Sequence, residues 1–199
     1  MAEATRQQIQ KAIDTLKAGG VVVFPTETSY GLGADATNRQ AVRRVMAIKG
    51  RSESKPPPVM VADLKMAWEH GIFCQRLRAL AKQFWPGPLN IIVPKKKNSL
   101  ILIGQGEVAL RVSGSAVARE LVRKLGRPIV ATSANLAGAP ACYSMAAWRK
   151  QTAGRALQPD YILDVGALPR NPASTIIKKQ NGKIIVVRQG AIQLPEKYV

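Results

Sequence analysis

Lys49, Arg51 and Lys55 place three cations within one short segment, and they are the first residues in the chain whose types and spacing suggest chemistry. Ammonium and guanidinium groups at this spacing suit an anionic ligand such as a phosphate. The preceding residues, Asn38 to Ile48, carry apolar side chains at helical spacing, and Gly50 stands where a helix C-cap glycine belongs. The alternative is therefore a solvated helix end whose cations offset the helix dipole. Taken alone, the segment favours this second interpretation.

Arg111 is a second candidate because it lies inside an otherwise apolar strand, predicted from Glu107 to Val112. A buried and unpaired guanidinium is costly, so Arg111 requires an anionic partner. That partner is either an acid of the chain or a ligand. The chain has 12 acidic residues against 30 lysines and arginines. This scarcity favours a ligand carboxylate or phosphate.

Polar clusters follow two of the predicted strands. Residues 25–33, Pro-Thr-Glu-Thr-Ser-Tyr-Gly-Leu-Gly, follow an apolar strand at Val21 to Phe24, and Thr132 to Asn135 follow a strand at Pro128 to Ala131. Ligands often bind at strand ends in α/β sheets, although a simple Ser/Asn turn is the equally good alternative for the second cluster. The glycines of the first cluster do not open a helix, which argues against a dinucleotide fingerprint, and no P-loop motif is present.

The elements that must position these residues alternate between helix and strand, which predicts an α/β protein. We expect one domain over residues 1–199, in line with the chain length. Helices are predicted to begin after the caps Thr5, Asn38, Asp63 and Ser115, and to cover Leu77–Phe84 and Met145–Lys150. Further strands are predicted at Pro58–Ala62, Leu89–Val93 and Tyr161–Val165, with a final hairpin that turns at Asn181-Gly182 between Ser174–Ile177 and Ile184–Arg188.

Composition adds a strong positive field, with a net charge of +18. Nucleic acids, nucleotide phosphates and acidic membranes all suit such a field. The run Lys95-Lys96-Lys97 is expected to be solvated, with RNA contact as the alternative. The single histidine and two distant cysteines argue against a zinc site and a histidine relay. No apolar run is long enough to cross a bilayer, and we expect a cytoplasmic protein.

Four blocks in order carry a family resemblance: residues 25–33, Lys49-Gly50-Arg51 with Lys55-Pro56, residues 132–138, and Ser174-Thr175 followed by residues 187–190. Together they resemble the YrdC-like threonylcarbamoyl-AMP synthases in their short, single-domain form. The resemblance implies a twisted, mixed, open sheet flanked by helices, with a deep basic cavity on one face.

The implied activity is that of a nucleotidyltransferase, L-threonylcarbamoyladenylate synthase. It joins L-threonine, bicarbonate and ATP into threonylcarbamoyl-AMP and releases pyrophosphate, for N6-threonylcarbamoyladenosine (t6A) at position 37 of tRNA. ATP is then a substrate, and Mg²⁺ is held through its phosphates, without a metal site made by the protein. The implied partners are the t6A-transfer proteins that accept the adenylate, and tRNA or double-stranded RNA.

The resemblance also assigns roles residue by residue. It implies that Lys49, Arg51 and Lys55 are catalytic and face the triphosphate, that Arg51, Lys55, Ser133, Asn135 and Arg188 bind ATP, and that Thr28, Arg111 and Ser174 bind threonine. Three residues depart from the family pattern: Met60 replaces a polar residue near threonine, Ala137 replaces a common serine, and Glu107 replaces a small hydroxyl residue near the nucleotide. The Glu107 carboxylate is expected to repel a triphosphate.

The main alternative is a double-stranded RNA- or ribosome-binding module that has the same fold and lacks the synthase activity. The net charge of +18 and the lysine run support it. Carbamoyl transfer to another acceptor is a third possibility.

Overall fold

The computed structural model describes residues 4–51 and 56–198. The helices are α1 (Arg6–Lys17), α2 (Arg39–Lys49), α3 (Leu64–His70), α4 (Gln75–Phe84), α5 (Ala116–Leu125) and α6 (Met145–Thr152), followed by a short 3-10 helix at Glu196–Tyr198. The strands are β1 (Val22–Pro25), β2 (Tyr30–Asp35), β3 (Val59–Met60), β4 (Leu89–Pro94), β5 (Glu107–Arg111), β6 (Ile129–Ser133), β7 (Tyr161–Ile162), β8 (Thr175–Gln180) and β9 (Lys183–Arg188).

All these strands join one sheet of nine strands in the order β7-β1-β2-β6-β3-β5-β4-β8-β9. The sheet is mixed, because β3–β5, β4–β8 and β1–β7 are parallel whereas the other neighbours are antiparallel. The prediction of a mixed α/β sheet is therefore confirmed. The middle of the sheet brings β2, β6, β3, β5 and β4 side by side, and of these neighbouring pairs only β4 and β5 follow each other in the chain.

The predicted N-caps agree with the structure because capping depends on local sequence, whereas α4 begins two residues earlier than predicted and α6 ends two residues later. Thr5 forms a capping box with Gln8 at the start of α1. Asn38 caps α2, and Gly50 ends that helix in the left-handed conformation with φ of 66°. The hairpin between β8 and β9 turns at Asn181 and Gly182 with φ values of 49° and 81°, as a type I′ turn requires.

Strand β2 was not predicted, because its sequence, Tyr-Gly-Leu-Gly-Ala-Asp, lacks the β-branched residues typical of strands. It pairs with β1 in an antiparallel hairpin and with β6 on its other side. A Cβ at Gly33 would collide with the carbonyl oxygen of Val130, so the glycine permits this close strand pairing. Conversely, β3 and β7 are shorter than predicted.

The core lies between the sheet and its helices. Helix α1 buries Ile9, Ala12, Ile13 and Leu16, the apolar face expected from the sequence. Burial of this face fixes α1 against the sheet. Every residue of β1 and β2 is buried, so the turn between these strands is anchored at both ends.

Candidate active site

One cavity of about 710 Å³ opens over the middle of the sheet. Its walls come from the β1–β2 turn and β2, the end of α2, strands β3 to β6, the loop after β6, and strands β8 and β9 with the segment that precedes β8. It is lined by Thr26, Thr28, Ser29, Tyr30, Gly31, Lys49, Arg51, Pro56, Pro58, Met60, Asn90, Ile92, Ala109, Arg111, Ala131, Thr132, Ser133, Asn135, Ala137, Gly138, Ala141, Tyr143, Ala173, Ser174, Ile176, Val187 and Arg188.

Every predicted site residue that the structure describes lines this cavity. These residues are Thr28, Lys49, Arg51, Arg111, Ser133, Asn135, Ser174 and Arg188. Lys55 lies outside the described residues. The fold therefore brings together side chains from positions 28 to 188 of the sequence.

The described lining of the cavity is strongly basic. Lys49, Arg51, Arg111 and Arg188 contribute to it, and none of the lining residues within 4–51 and 56–198 is acidic. Burial lowers the pKa of Arg188, and the nearby charges of Arg111 and Arg51 lower it further. Such crowding of like charges is unfavourable by itself and would be relieved by a polyanion.

Glu107 does not belong to this lining. It is exposed at the start of β5, at the opposite end of the strand from Arg111. The expectation that its carboxylate repels a triphosphate is therefore not supported by its position. Met60 and Ala137, the two other departures from the family pattern, do line the cavity.

Lys49 is not the solvated helix end that its local sequence favours. It is 5% exposed, and its Nζ donates hydrogen bonds to Ser133 O at 2.7 Å, Asn135 Oδ1 at 2.8 Å and Asn135 O at 3.2 Å. An ammonium group has three hydrogens, so these three acceptors can engage all of them. Lys49 therefore ties the end of α2 to the turn that follows β6.

The turn after β6 is further fixed by Asn135. Its Nδ2 donates to Leu136 O at 2.8 Å and Ala139 O at 2.6 Å, and its Oδ1 accepts from Ser133 Oγ.

Burial lowers the pKa of Lys49 to about 8, and the nearby positive charge of Arg51 contributes to this decrease. The ammonium form that donates to the turn therefore prevails at neutral pH.

Arg111 has a partner within the chain, which corrects the argument that favoured a ligand. Its Nη2 lies 2.7 Å from Glu27 Oε1. The Glu27 carboxylate also accepts from Ser113 Oγ at 2.6 Å and from the Gly114 N–H at 2.8 Å. The small number of acidic residues does not leave Arg111 unpaired, because one glutamate in the β1–β2 turn is enough to form the ion pair.

These contacts also set the charge of Glu27. Burial pushes the pKa of Glu27 upward, but the Arg111 charge and the hydrogen bonds from Ser113 and Gly114 outweigh burial and hold that pKa below its ordinary value. Glu27 is therefore ionised at neutral pH and holds the guanidinium in place. The only sequence feature that pointed to it is its position inside the polar cluster 25–33.

Ser174 lies at a junction between the two predicted groups of binding residues. Its Oγ accepts from Asn90 Nδ2 at 2.6 Å and from Arg188 Nη2 at 2.9 Å, and its carbonyl oxygen accepts from Arg188 Nε at 3.0 Å. Thr28 Oγ1 lies 3.1 Å from Thr26 Oγ1. Asn90 was missed by the sequence analysis, and a polar residue within an apolar strand was the feature that could have revealed it.

Outside the cavity, the lysine run is only partly solvated. Lys95 Nζ donates to Ile103 O at 3.0 Å and Gly104 O at 2.9 Å, whereas Lys97 is exposed. In the described part of the chain, no three His, Cys, Asp or Glu side chains cluster in a way that could hold a metal ion. No helix within residues 4–51 and 56–198 has the length and apolar character to cross a membrane.

Comparison with known proteins identifies relatives of this chain. The threonylcarbamoyl-AMP synthase of Bacillus subtilis is 41% identical over 137 residues, which cover 67% of this chain and 40% of that protein. The threonylcarbamoyl-AMP synthase of Thiobacillus denitrificans is 33% identical over 174 residues, covering 85% of this chain and 90% of that protein.

Solved structures agree with the sequence relatives. The crystal structure of P. abyssi Sua5 complexed with L-threonine superposes with a TM-score of 0.83 and 32% identity, over 92% of this chain and 54% of that chain. The chain thus spans about half, or less, of the Bacillus and Pyrococcus relatives. A model of the Sua5, YciO and YrdC proteins, described as telomere recombination, matches residues 14–190. The chain belongs to the Sua5/YciO/YrdC family.

Proposed function

We propose that this protein is a threonylcarbamoyl-AMP synthase, a nucleotidyltransferase that uses L-threonine, bicarbonate and ATP. The observation that carries the proposal is a single cavity lined by four cations and, in its described part, by no acid. The names of the relatives support the same reaction. The cavity volume of about 710 Å³ also falls in the range of small-molecule sites.

The reaction begins with the amine of threonine. Its nitrogen attacks the carbon of bicarbonate, and a carbamate forms with the loss of water. A carbamate oxygen then attacks the α-phosphorus of ATP, and the bond to the β-phosphate oxygen breaks with its electron pair leaving on pyrophosphate. Both reactants are anions, so cations that screen their repulsion are the main requirement.

Arg51 and Arg188 are proposed to meet this requirement at the phosphates, with Ser133 and Asn135 beside the nucleotide. Lys55 is proposed to act with them. Lys49 is proposed to position the turn that carries Ser133 and Asn135, because its hydrogens are directed to these two residues. Positioning and electrostatics would then carry the rate without an acid–base relay.

Arg111 is proposed to bind the threonine carboxylate, with Thr28 and Ser174 nearby. A guanidinium suits a carboxylate because its planar N–H groups match two oxygens. Glu27 occupies one side of this guanidinium. The glutamate would therefore fix the direction from which a substrate carboxylate can approach.

Mg²⁺ is proposed to enter with ATP, bound through the phosphate oxygens, since oxygen ligands from substrate phosphates are usual for this ion. We further propose that residues 1–199 act as one domain, which the single continuous sheet supports. A cytoplasmic location, transfer of the adenylate to t6A-forming proteins, and contact with tRNA complete the proposal.

Product analysis tests the function directly. The protein is incubated with ATP, Mg²⁺, threonine and ¹³C-bicarbonate, and the products are separated at once by mass spectrometry. We expect an adenylate whose mass contains threonine and one labelled carbon. Formation of AMP or ADP without that adenylate, in the presence of all substrates, would contradict the proposal.

A further inference from the structure

Two buried polar side chains in the cavity wall have atoms without a hydrogen-bond partner among the described residues. Asn90 is 2% exposed and Arg111 is 6% exposed. Asn90 Oδ1, an acceptor, has no donor, and Arg111 Nε, a donor, has no acceptor. Leaving such groups unpaired in a buried site is unfavourable. Unpaired buried groups in a native protein call for an explanation, such as a ligand.

The two residues are neighbours across the sheet. Strands β4 and β5 are antiparallel, and their register pairs Ile91 with Leu110. The same register places Asn90 opposite Arg111, and both residues line the cavity. Side chains directly opposite each other in such a ladder have Cβ atoms about 4.5–5.5 Å apart. One small ligand can therefore contact both.

A hydrogen bond from its nitrogen already orients the side-chain amide of Asn90. Its Nδ2 donates to Ser174 Oγ at 2.6 Å, and Ser174 Oγ also accepts from Arg188. The atom left over is the carbonyl oxygen, which can only accept. A ligand next to Arg111 that satisfies both residues must offer an anionic group and, close to it, an N–H or O–H donor.

We propose that Asn90 determines specificity for the β-hydroxyl of threonine, accepting a hydrogen bond from it while Arg111 binds the carboxylate. This inference rests on the proposed synthase function and goes beyond it, because it concerns how threonine is distinguished from amino acids of the same shape. In threonine the hydroxyl-bearing carbon is only one bond from the carbon that bears the carboxylate. This compactness suits two cross-strand neighbours.

The α-amine is the less suitable donor for Asn90. Its nitrogen loses protons and becomes a planar carbamate nitrogen during the reaction, so its N–H groups change in number and direction, whereas the hydroxyl takes no part in the reaction and keeps its O–H. Sites built to hydrogen-bond a substrate hydroxyl discriminate strongly against analogues that lack it, because the buried partner is then left unpaired.

The test compares threonine with 2-aminobutyrate, which lacks only the hydroxyl. The kcat/KM of the wild-type protein is measured for both amino acids by pyrophosphate release, and then for Asn90→Ala. We expect the wild-type protein to prefer threonine and Asn90→Ala to reduce this preference by about tenfold to a hundredfold. Asn90→Leu has the same number and branching of side-chain heavy atoms without a polar group. It should give the same reduction and replaces the alanine variant if that variant folds poorly.

Ile92→Ala is the matched control. Ile92 is two residues along the same strand, on the same face, and lines the same cavity. Its truncation should change kcat/KM for both amino acids by a similar factor and leave the preference intact. ATP affinity of each variant, measured by calorimetry, verifies that the cavity is formed.

An unchanged preference for threonine in a folded Asn90 variant would overturn the inference, even if kcat/KM fell for both amino acids. A wild-type protein that uses neither amino acid would overturn the synthase proposal and this inference with it. A wild-type protein that uses both equally would overturn this inference alone.

Discussion

Lys49 and Arg51 are two residues apart in one cationic segment, yet the structure gives them different surroundings. Lys49 is buried and donates to Ser133 and Asn135, whereas Arg51 is half-buried at the cavity wall. Because Lys49 points at a turn, its contribution to nucleotide binding should be to position that turn. Of these two residues, Arg51 is the one whose guanidinium can contact the phosphates directly.

Replacing each cation by methionine separates these roles. Lys49→Met should weaken the binding of ATP, ADP and AMP by similar factors, about tenfold each, because a buried hydrogen-bonding group is lost from the turn in every case. Arg51→Met should weaken ATP more than ADP and ADP more than AMP. Dissociation constants from calorimetry measure both series. A loss in Lys49→Met that grows with the number of phosphates would show that Lys49 contacts them directly.

The pKa of Lys49 predicts a pH dependence at the same position. With a folded pKa of about 8, the ammonium loses its proton as pH rises through this value, and the neutral amine has only two hydrogens for the turn. ATP affinity should therefore be highest below pH 8 and fall between pH 8 and 9. Lys49→Arg, which stays charged, should show no such fall. Cys142, close to Lys49, is a second group that can lose a proton at alkaline pH, although burial raises its pKa. Cys142→Ser removes this group and is therefore the control, which should retain the wild-type pH profile.

Residue roles were the least predictable part from sequence. The four sequence blocks of the family resemblance identified which residues line the cavity. They did not indicate which of these residues form ion pairs or hydrogen bonds with each other. Glu27 and Arg111 are brought together only by the β1–β2 turn and the end of β5. Lys49 meets Asn135 across the gap between α2 and β6. Contacts of this kind depend on strand order, which no local pattern specifies.

At the scale of elements, helix ends and the last hairpin were predictable because caps and turns are local. Asn38 and Gly50 bound α2 as expected, and Asn181-Gly182 forms the hairpin turn. Strand β2 was not predictable, since its glycines disfavour strands and only the pairing with β1 and β6 stabilises it.

This account of β2 predicts a difference between its two glycines. At Gly33 a Cβ would collide with the backbone oxygen of Val130, whereas at Gly31 it would meet the Thr26 methyl group at 3.2 Å. A side chain can shift more easily than a paired backbone. Gly33→Ala should therefore lower the free energy of unfolding by about 3 kcal/mol and Gly31→Ala by about 1 kcal/mol.

Urea unfolding monitored by circular dichroism measures both values. Equal and small effects would mean that the close approach of β2 and β6 does not require glycine.

At the scale of the whole molecule, the net charge of +18 has two explanations. One part of it lies in the cavity, where Arg51, Arg111 and Arg188 crowd together. Other cations of the described residues are exposed, such as Lys97 and Arg123, and a positive surface suits RNA. The alternative of an RNA-binding module without synthase activity therefore stays a prediction. The two accounts differ in whether the cavity performs chemistry on threonine.

Threonine-dependent pyrophosphate release is the measurement that distinguishes them most directly. The protein is supplied with ATP, Mg²⁺ and bicarbonate, and pyrophosphate is followed while the threonine concentration is raised from zero. The synthase account predicts release that rises with threonine to a plateau and requires bicarbonate. Release that is absent, or independent of threonine, would contradict it.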